Sequence, residues 1–458
     1  MQPTMSDHRK LRVLLLVDSL YWATGNFARH VVTDNPRIEA IIASQYMVRQ
    51  FLWRFGRFPL SFDVVHFLNT KTMEPFCGRV PVAVTLHHVD SSTHVRFLDD
   101  ADAIMTVSGQ WQHYVLDRGF PKEKVSVVPF AVDHQAFHPA TRLERGDTRR
   151  MLKIPDDAVV IGFSGRRTSD NDGRKGMDCL VSGLKKMQKR CANLVALIVG
   201  PGWKALVRRL NQEQIHSVHI PYQLDHGSVA RSYRALDVYW VTSRVEGGPV
   251  PLLEAMASGI PCLSTPVGAA LDLVEHGQNG WIVPFDRPDL FVDRTLELIG
   301  NRALGQQIGQ AARATVIQER SWEHTKERLS QLYERAIANF RGRRTNSVPC
   351  EFVQETSSWG LKPVSTELSG CFDEFGPNVK HWVKACEYVR GAKMLFRLDE
   401  WSWALKLLGR ALKAAPSDAN MWRQTSWMLA REGRKKIRRV IKGDTGLKKA
   451  KTVNLSNG

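Results

Sequence analysis

Short, unbroken apolar runs recur along this chain, and most lead into a glycine-bearing or polar loop followed by a helical stretch. Val13-Leu-Leu-Leu-Val17 and Leu194-Val-Ala-Leu-Ile-Val199 show no alternation of polar and apolar residues, so strands built from them are buried on both faces. Such strands belong in parallel sheets covered by helices. Arg12–Val17, Phe62–Leu68, Val80–His88, Ala103–Ser108 and Val125–Pro129 form one predicted series. Val159–Gly165, Leu194–Val199, Val218–Pro221, Val238–Thr242, Ile260–Ser264 and Trp281–Val283 form a second. The expected fold class is α/β, with two doubly wound, Rossmann-like domains over residues 1–140 and 157–320. Ala140–Asp156, polar and rich in arginine, is expected to be the linker between them.

Within the second series lies Ser243-Arg-Val-Glu246-Gly-Gly-Pro-Val-Pro-Leu-Leu-Glu254, followed by Ala-Met-Ala-Ser-Gly259-Ile-Pro261. Two carboxylates stand eight residues apart, with an apolar strand before them and a helix expected to open at Pro251. A strand–loop–helix corner of this kind is where open α/β sheets bind ligands. Gly247 and Gly248 let the backbone approach a ligand closely, and the new helix aims its positive end at the same place, which suits a diphosphate. Glu246 lies on the loop and Glu254 inside the helix, so the two reach different parts of one ligand.

This spacing resembles the E-x7-E motif of retaining glycosyltransferases with the GT-B fold, glycosyltransferase family 4 in particular. The continuation Gly259-Ile-Pro261…Gly268 and Glu275-His-Gly277-Gln-Asn-Gly280-Trp-Ile-Val-Pro284 is similar too. The resemblance covers about residues 11–340. It implies two domains facing across a cleft, the first on the acceptor side and the second holding a nucleotide-diphosphate sugar. It sends the helix over 321–340 back across the first domain. Gly165-Arg166 and Lys175-Gly176 resemble the family's Gly-Arg…Lys-Gly pair, which implies that Arg166 and Lys175 bind the donor diphosphate and stabilise its departure; Arg174 is an adjacent alternative to Lys175. A planar fork and a point charge both suit phosphate oxygens. By the same resemblance Glu254 accepts from the donor ribose and Glu246 from the transferred sugar. The family form is Glu-Gly-Phe-Gly; here it is Glu246-Gly-Gly-Pro249, a departure at the sugar pocket. Thr85-Leu86-His87 matches a Thr-x-His that faces the cleft, with His88 competing for the role. Retention of anomeric configuration is likewise implied by the family.

Other candidates have less support. Gly25, in the loop after the first strand, makes that loop a candidate phosphate- or sugar-facing turn. Tyr222 follows a strand and is placed either near the donor base or as a plain loop residue. Asp100-Ala-Asp102 and Asp170-Asn-Asp172 mimic a metal-binding pair, but neither follows a hydrophobic strand, so no metal and no cofactor beyond the donor substrate is expected.

At 458 residues the chain has room for two or three domains. No apolar run approaches the ~20 residues of a membrane helix, and the first run meets Asp18 too soon for a signal peptide. Seven scattered cysteines without a Cys-x-x-Cys point to a reducing compartment, so the expectation is a cytoplasmic protein. The formal charge is +18, and Arg431–Lys451 alone carries ten Lys/Arg against Glu432 and Asp444. That balance suits diphosphates and the inner face of an anionic membrane; nucleic acid is not the expected partner. Met47, Phe51, Phe55 and Phe58 share a helical face near Arg49, Arg54 and Arg57, which reads either as a core helix, the favoured reading, or as a membrane-surface helix.

Residues 345–380 look irregular, and 345–458 as a whole is read as a helical extension with a basic tail. Tyr388, Ala392, Leu395, Ala404, Leu408, Ala411 and Pro416 fall at tetratricopeptide spacings, with Trp422, Leu429 and Gly433 in the corresponding places of a second unit, which reads either as one and a half such repeats or as an amphipathic helical appendix with coincidental spacing. The helices over 379–433 are expected either to dock on the catalytic domains or to meet a protein partner. Acceptors open to such a chain are glycans, lipid-linked sugars or proteins. Two other functions fit the same architecture: a nucleotide-sugar 2-epimerase-like enzyme, and a non-catalytic nucleotide-sugar-binding scaffold.

Overall fold

The computed structural model describes residues 9–20, 23–55, 62–69, 76–89, 95–167, 173–223, 226–343, 359–363, 379–397, 400–416 and 418–441. The first domain alternates β1 (Leu11–Val17), α1 (Ala23–Val32), β2 (Ile38–Ser44), α2 (Gln45–Phe55), β3 (Val64–Phe67), β4 (Val82–Leu86), β5 (Ala103–Thr106), α3 (Gly109–Leu116) and β6 (Val125–Val127). Its strands pair in parallel in the order β2-β1-β3-β4-β5-β6. Val13, Leu14, Leu16 and Val17 are fully buried, as continuous apolar strands between two helical layers require.

The presumed linker is a helix. Residues 142–152 form α4 (Arg142–Leu152), started by a capping box in which Thr141 Oγ1 accepts from the Glu144 N–H and Glu144 reaches back to the Thr141 N–H. Arg149 is buried and donates to the carbonyls of Ala235, Asp156 and Ala158 and to Asp237 Oδ2 at 2.8 Å. Asp237 in turn accepts from the Val160 N–H at 2.8 Å. The helix is thereby bolted to the base of the second domain.

That domain runs through β7 (Val159–Ser164), α5 (Met177–Gln188), β8 (Leu194–Val199), α6 (Lys204–Gln212), β9 (Ser217–Ile220), α7 (His226–Tyr233), β10 (Val238–Val241), α8 (Val250–Ala257), β11 (Cys262–Ser264), α9 (Ala269–Leu273), β12 (Trp281–Ile282), α10 (Pro288–Gly300) and α11 (Arg302–Glu319). Its parallel sheet has the order β12-β11-β10-β7-β8-β9. The next helix, α12 (Trp322–Arg343), packs against β3, β4 and β5 of the first domain. Tyr333 of α12 meets His66 Nδ1 at 2.9 Å inside that core.

Three expectations need correction. Residues 38–44, not counted among the strands, form β2 beside β1. Residues 359–363, inside the stretch that looks irregular, form β13 (Trp359–Pro363), antiparallel to β2 at the sheet edge. The second tetratricopeptide-like unit does not pack as one: Trp422 and Leu429, which the spacing would bury, are 47% and 37% exposed.

The remaining helices are α13 (Val379–Arg397), α14 (Trp401–Ala414) and α15 (Ala419–Ile441). Ala392, Leu395, Ala404, Leu408 and Ala411 are buried where α13 and α14 meet. Trp382, Cys386 and Val389 share one core with Leu14, Leu16, Met47 and Phe51. The Ser44 N–H donates to Glu387 Oε1 at 2.9 Å in that core. Met47 and Phe51 of α2 therefore serve packing, and this helix lies under α13; Phe58 lies outside the described residues.

Candidate active site

The carboxyl ends of β1, β4, β7, β8 and β10 open onto one cleft of about 1280 Å³ between the two domains. The first domain contributes Asp18, His87, His88 and Phe130; the second contributes Gly165, Arg166, Arg174, Lys175, Tyr222, Glu246, Gly247, Gly248 and Glu254. Strand ends facing a crevice are where doubly wound sheets hold ligands. The volume exceeds that of an ordinary small-molecule pocket, leaving room for two substrates together.

Gly165 leaves β7 with φ at +145°, and a Cβ there would sit 3.4 Å from Lys175 Nζ. A side chain at this position would crowd the lysine and strain the backbone. Lys175 Nζ donates to Glu246 Oε1 at 2.5 Å, Ser243 Oγ donates to the same oxygen at 2.8 Å, and the Arg174 guanidinium stands 3.6 Å from Oε2. Burial pushes the Glu246 carboxyl up, but Lys175, then Arg174, and the two hydrogen bonds outweigh it and hold the group below its ordinary range. Arg174 and Lys175 thus act at the same carboxylate rather than as alternatives.

Glu254 projects from α8 and accepts from Tyr233 Oη at 2.7 Å; it is 5% exposed. Tyr233 stacks on Tyr239, whose hydroxyl accepts from the Ser164 N–H at 3.0 Å, which ties Glu254 to the end of β7. Pro249 and Pro251 remove two backbone donors at the start of α8. The helix terminus is a poorer anion cradle than its position suggests; the cations on the same wall of the cleft include Arg166, Arg174 and Lys175.

On the opposite wall His87 Nε2 donates to the Leu68 carbonyl at 2.6 Å, which leaves Nδ1 as the acceptor nitrogen. Burial lowers the His87 pKa against the opposing pull of Leu68 and Asp18, so the ring is neutral at pH 7. A Cβ on Gly247 would lie 2.0 Å from the His87 carbonyl oxygen, and one on Gly248 would lie 3.0 Å from the Phe130 ring. The two glycines therefore let the Glu246 loop press against the first domain.

One placement differs from expectation. Gly25 lies inside α1, buried, where a Cβ would strike the Leu20 backbone at 2.5 Å. It seats the helix on the preceding loop and is absent from the cleft lining, whereas Thr24, Asn26 and Phe27 are present. Asp102 is buried and accepts from the Val82 N–H at 2.9 Å, so it holds β4 and β5 in register. Asp170 and Asp172 fall outside the described residues. Tyr222 lines the cleft as a buried phenol whose pKa burial pushes upward.

Residues 144–315 match the family model described as Glycosyl transferases group 1. This segment is similar to the domains that model describes. It carries Arg166, Arg174, Lys175, Glu246 and Glu254. A GDP-mannose-dependent monoacylated alpha-(1-6)-phosphatidylinositol monomannoside mannosyltransferase from Corynebacterium glutamicum is 28% identical over 45% of this chain and 55% of its own length. A D-inositol 3-phosphate glycosyltransferase from Corynebacterium urealyticum is 27% identical over 52% of this chain and 58% of its own. The chain thus spans a little over half the length of these curated relatives. The crystal structure of Anabaena HepE in complex with UDP and glucose superposes with a TM-score of 0.57 and 17% identity, covering 70% of this chain and 98% of that one. That likeness establishes the fold: two Rossmann-like domains across a cleft, the GT-B arrangement.

The second domain also receives contacts that the sequence did not reveal. Trp111 of α3, in the first domain, donates its indole N–H to the Glu246 carbonyl at 2.8 Å. Gln110 Oε1 accepts from the Gly268 N–H at 2.6 Å, and Asp272 accepts from the Gly109 N–H at 3.1 Å. The amino end of α3 thus grips both the Glu246 loop and the start of α9. The signal was present: Thr106-Val-Ser-Gly109 is another strand-to-helix corner containing glycine.

The Glu246 cluster makes a pH prediction. Its folded pKa lies below the ordinary 4.5, so its stabilisation is complete above that value and is lost as pH falls through the folded value. Melting temperatures of wild type and Glu246→Gln are expected to differ most near neutral pH and to converge on acidification. A constant gap between the two curves from about pH 7 down to about pH 3 would contradict the ion-pair reading.

Proposed function

We propose that this protein is a retaining glycosyltransferase that moves a sugar from a nucleotide-diphosphate donor to a glycan, lipid-linked or protein-linked acceptor. The observation that carries the reading is the Lys175–Glu246 pair beside Gly165-Arg166. It combines the cations a departing diphosphate needs with a carboxylate that binds sugar hydroxyls.

Glu246 neutralises Lys175. An arriving diphosphate competes for the lysine and frees Glu246 oxygens for the hydroxyls of the transferred sugar. Glu254 accepts from the ribose. Arg166, Arg174 and Lys175 stabilise the negative charge that develops as the anomeric C–O bond to phosphate breaks. The new bond forms between the anomeric carbon and the acceptor oxygen on the same face, and the acceptor proton passes to the leaving phosphate oxygen. His87, neutral, accepts a hydroxyl proton of sugar or acceptor in a hydrogen bond through Nδ1.

The test is a thermal-shift screen with UDP-, GDP-, ADP- and dTDP-sugars, followed by product mass and anomeric configuration on the best donor. The expected result is a retained glycoside formed only when acceptor is present. An inverted product, a free sugar or epimerised donor made without acceptor, or binding without turnover would each overturn it. In the same assay Trp111→Phe, which keeps the ring and removes one hydrogen bond to the Glu246 carbonyl, is expected to lower kcat/KM by roughly 3- to 10-fold. Unchanged kcat/KM would show that the α3 contact does not position Glu246.

A further inference from the structure

The side of α15 that packs inward buries Met421, Thr425 and Met428. Trp427, 55% exposed, stands on one flank of the helix, while Trp422 and Leu429, 47% and 37% exposed, lie on the other flank, roughly 140–160° around the axis. Trp427 stands between Arg423 and Arg431, four residues away on either side, so the three form one stripe along the helix. The Arg431 guanidinium lies 4.9 Å from the Trp427 ring centre.

Beside this stripe is a groove of about 360 Å³ between α2, α13 and α15. Its floor is neutral and locked: Tyr46 Oη donates to Gln424 Oε1 at 2.8 Å, and Gln424 Nε2 donates to Gln50 Oε1 at 3.2 Å. Its walls carry Lys393, Arg423 and Arg431, with Glu432 the one carboxylate in the lining. Lys393 is half-buried, and Arg397 and Arg390 add to the positive potential around it. A groove that gathers cations faster than carboxylates is complementary to an anion. A tryptophan flanked by arginines on one helix face is the composition of a helix lying in a lipid–water boundary. The sequence continues with basic residues to Lys451, which extends the same charge.

We propose that the Arg423–Trp427–Arg431 face of α15 and this groove form a docking surface for an anionic membrane, with the groove taking a phospholipid headgroup phosphate and Trp427 entering the interface. The surface is connected to the cleft through α13. Arg390, one turn before Lys393, donates to the Asp18 carbonyl at 3.0 Å, and Asp18 lines the cleft. Docking through α15 therefore holds the acceptor-side domain against the surface where a lipid-linked acceptor resides. The purpose assigned to the surface rests on the lipid-linked branch of the proposed function; its capacity to bind lipid does not.

The test is co-sedimentation of the full chain with vesicles of phosphatidylcholine alone and of phosphatidylcholine mixed with phosphatidylglycerol. Wild type is expected to bind the anionic vesicles at least roughly 10-fold more tightly than the neutral ones, and to lose that preference in high salt. Arg423→Glu/Arg431→Glu and Trp427→Ala are each expected to lose roughly 10-fold or more, while keeping the nucleotide-induced thermal shift. Equal binding to both vesicle types, charge-reversed protein that binds like wild type, or displacement from vesicles by inorganic phosphate or by single-stranded RNA at concentrations comparable to the lipid would overturn it. If the variants do not fold, salt-independent vesicle binding of the wild type overturns it equally. Nucleotide binding read in the same samples separates failure of this surface from failure of the donor site.

Discussion

Lys175→Ala is expected to lower kcat/KM for the donor sugar by roughly 10²- to 10³-fold, a loss of about 2.7–4 kcal/mol of transition-state stabilisation. Lys175 is largely buried, reaches Glu246 at 2.5 Å and stands beside the space that Gly165 leaves open. Its charge is fixed in place before the diphosphate departs, so no reorganisation is needed as negative charge develops. Removing it also leaves Glu246 with only Arg174 and Ser243 as neighbours of those already described, and its carboxyl pKa then rises toward the value that burial favours. Both kcat and donor affinity are expected to fall, with kcat falling more. Steady-state kinetics on the best donor, with circular dichroism as a check on folding, decides the matter. Turnover within a few-fold of wild type would take Lys175 out of the chemistry and assign the charge stabilisation to Arg166 and Arg174.

Arg149→Met is expected to destabilise the second domain by about 3–5 kcal/mol, the range for removing one partner of a buried ion pair. The guanidinium is 2% exposed and donates at once to three backbone carbonyls and to Asp237. Methionine fills the volume but leaves those acceptors without their donor. Asp237 also holds the Val160 N–H and pairs with Arg145 at 2.5 Å, so the start of β7 loosens together with α4. Arg149→Lys is expected to recover little, because one ammonium cannot reproduce the planar fork. Urea denaturation of the two variants measures the loss; a change below about 1 kcal/mol would show that the network relaxes around the gap.

The parts of this molecule that could be read from sequence share one property: their environment is written in consecutive residues. Strands such as Leu194–Val199 are buried on both faces and appear as unbroken apolar runs. The donor corner announces itself through Glu246, two glycines, two prolines and Glu254 in one short stretch. The strand Ile38–Ser44 was harder, because Glu39 interrupts it and it passes directly into a helix at Gln45 with no glycine or proline between. The helix Arg142–Leu152 carries its capping box in Thr141 and Glu144, but its many arginines resemble a solvated linker until Asp237, far along the chain, accounts for Arg149. Trp111 could be recognised only in three dimensions, since its partner is a backbone carbonyl 135 residues away. Gly25 shows the opposite error: a glycine after a strand invited a phosphate-loop assignment, whereas its proximity to Leu20 is a matter of packing.

The first domain is assembled from separated lengths of chain, while the second is nearly continuous. Its core takes Tyr333 from the returning helix α12, and another part of it takes Trp382, Cys386 and Val389 from α13. During synthesis, the first domain therefore emerges first and is completed last. Until residues near 390 leave the ribosome, the apolar face that carries Leu14, Leu16, Met47 and Phe51 lacks its natural cover. The second domain has no such wait. A chain whose residues up to 343 have left the ribosome would present a folded second domain joined to an unfinished neighbour, and chaperone capture would be directed to the half of the chain made earliest.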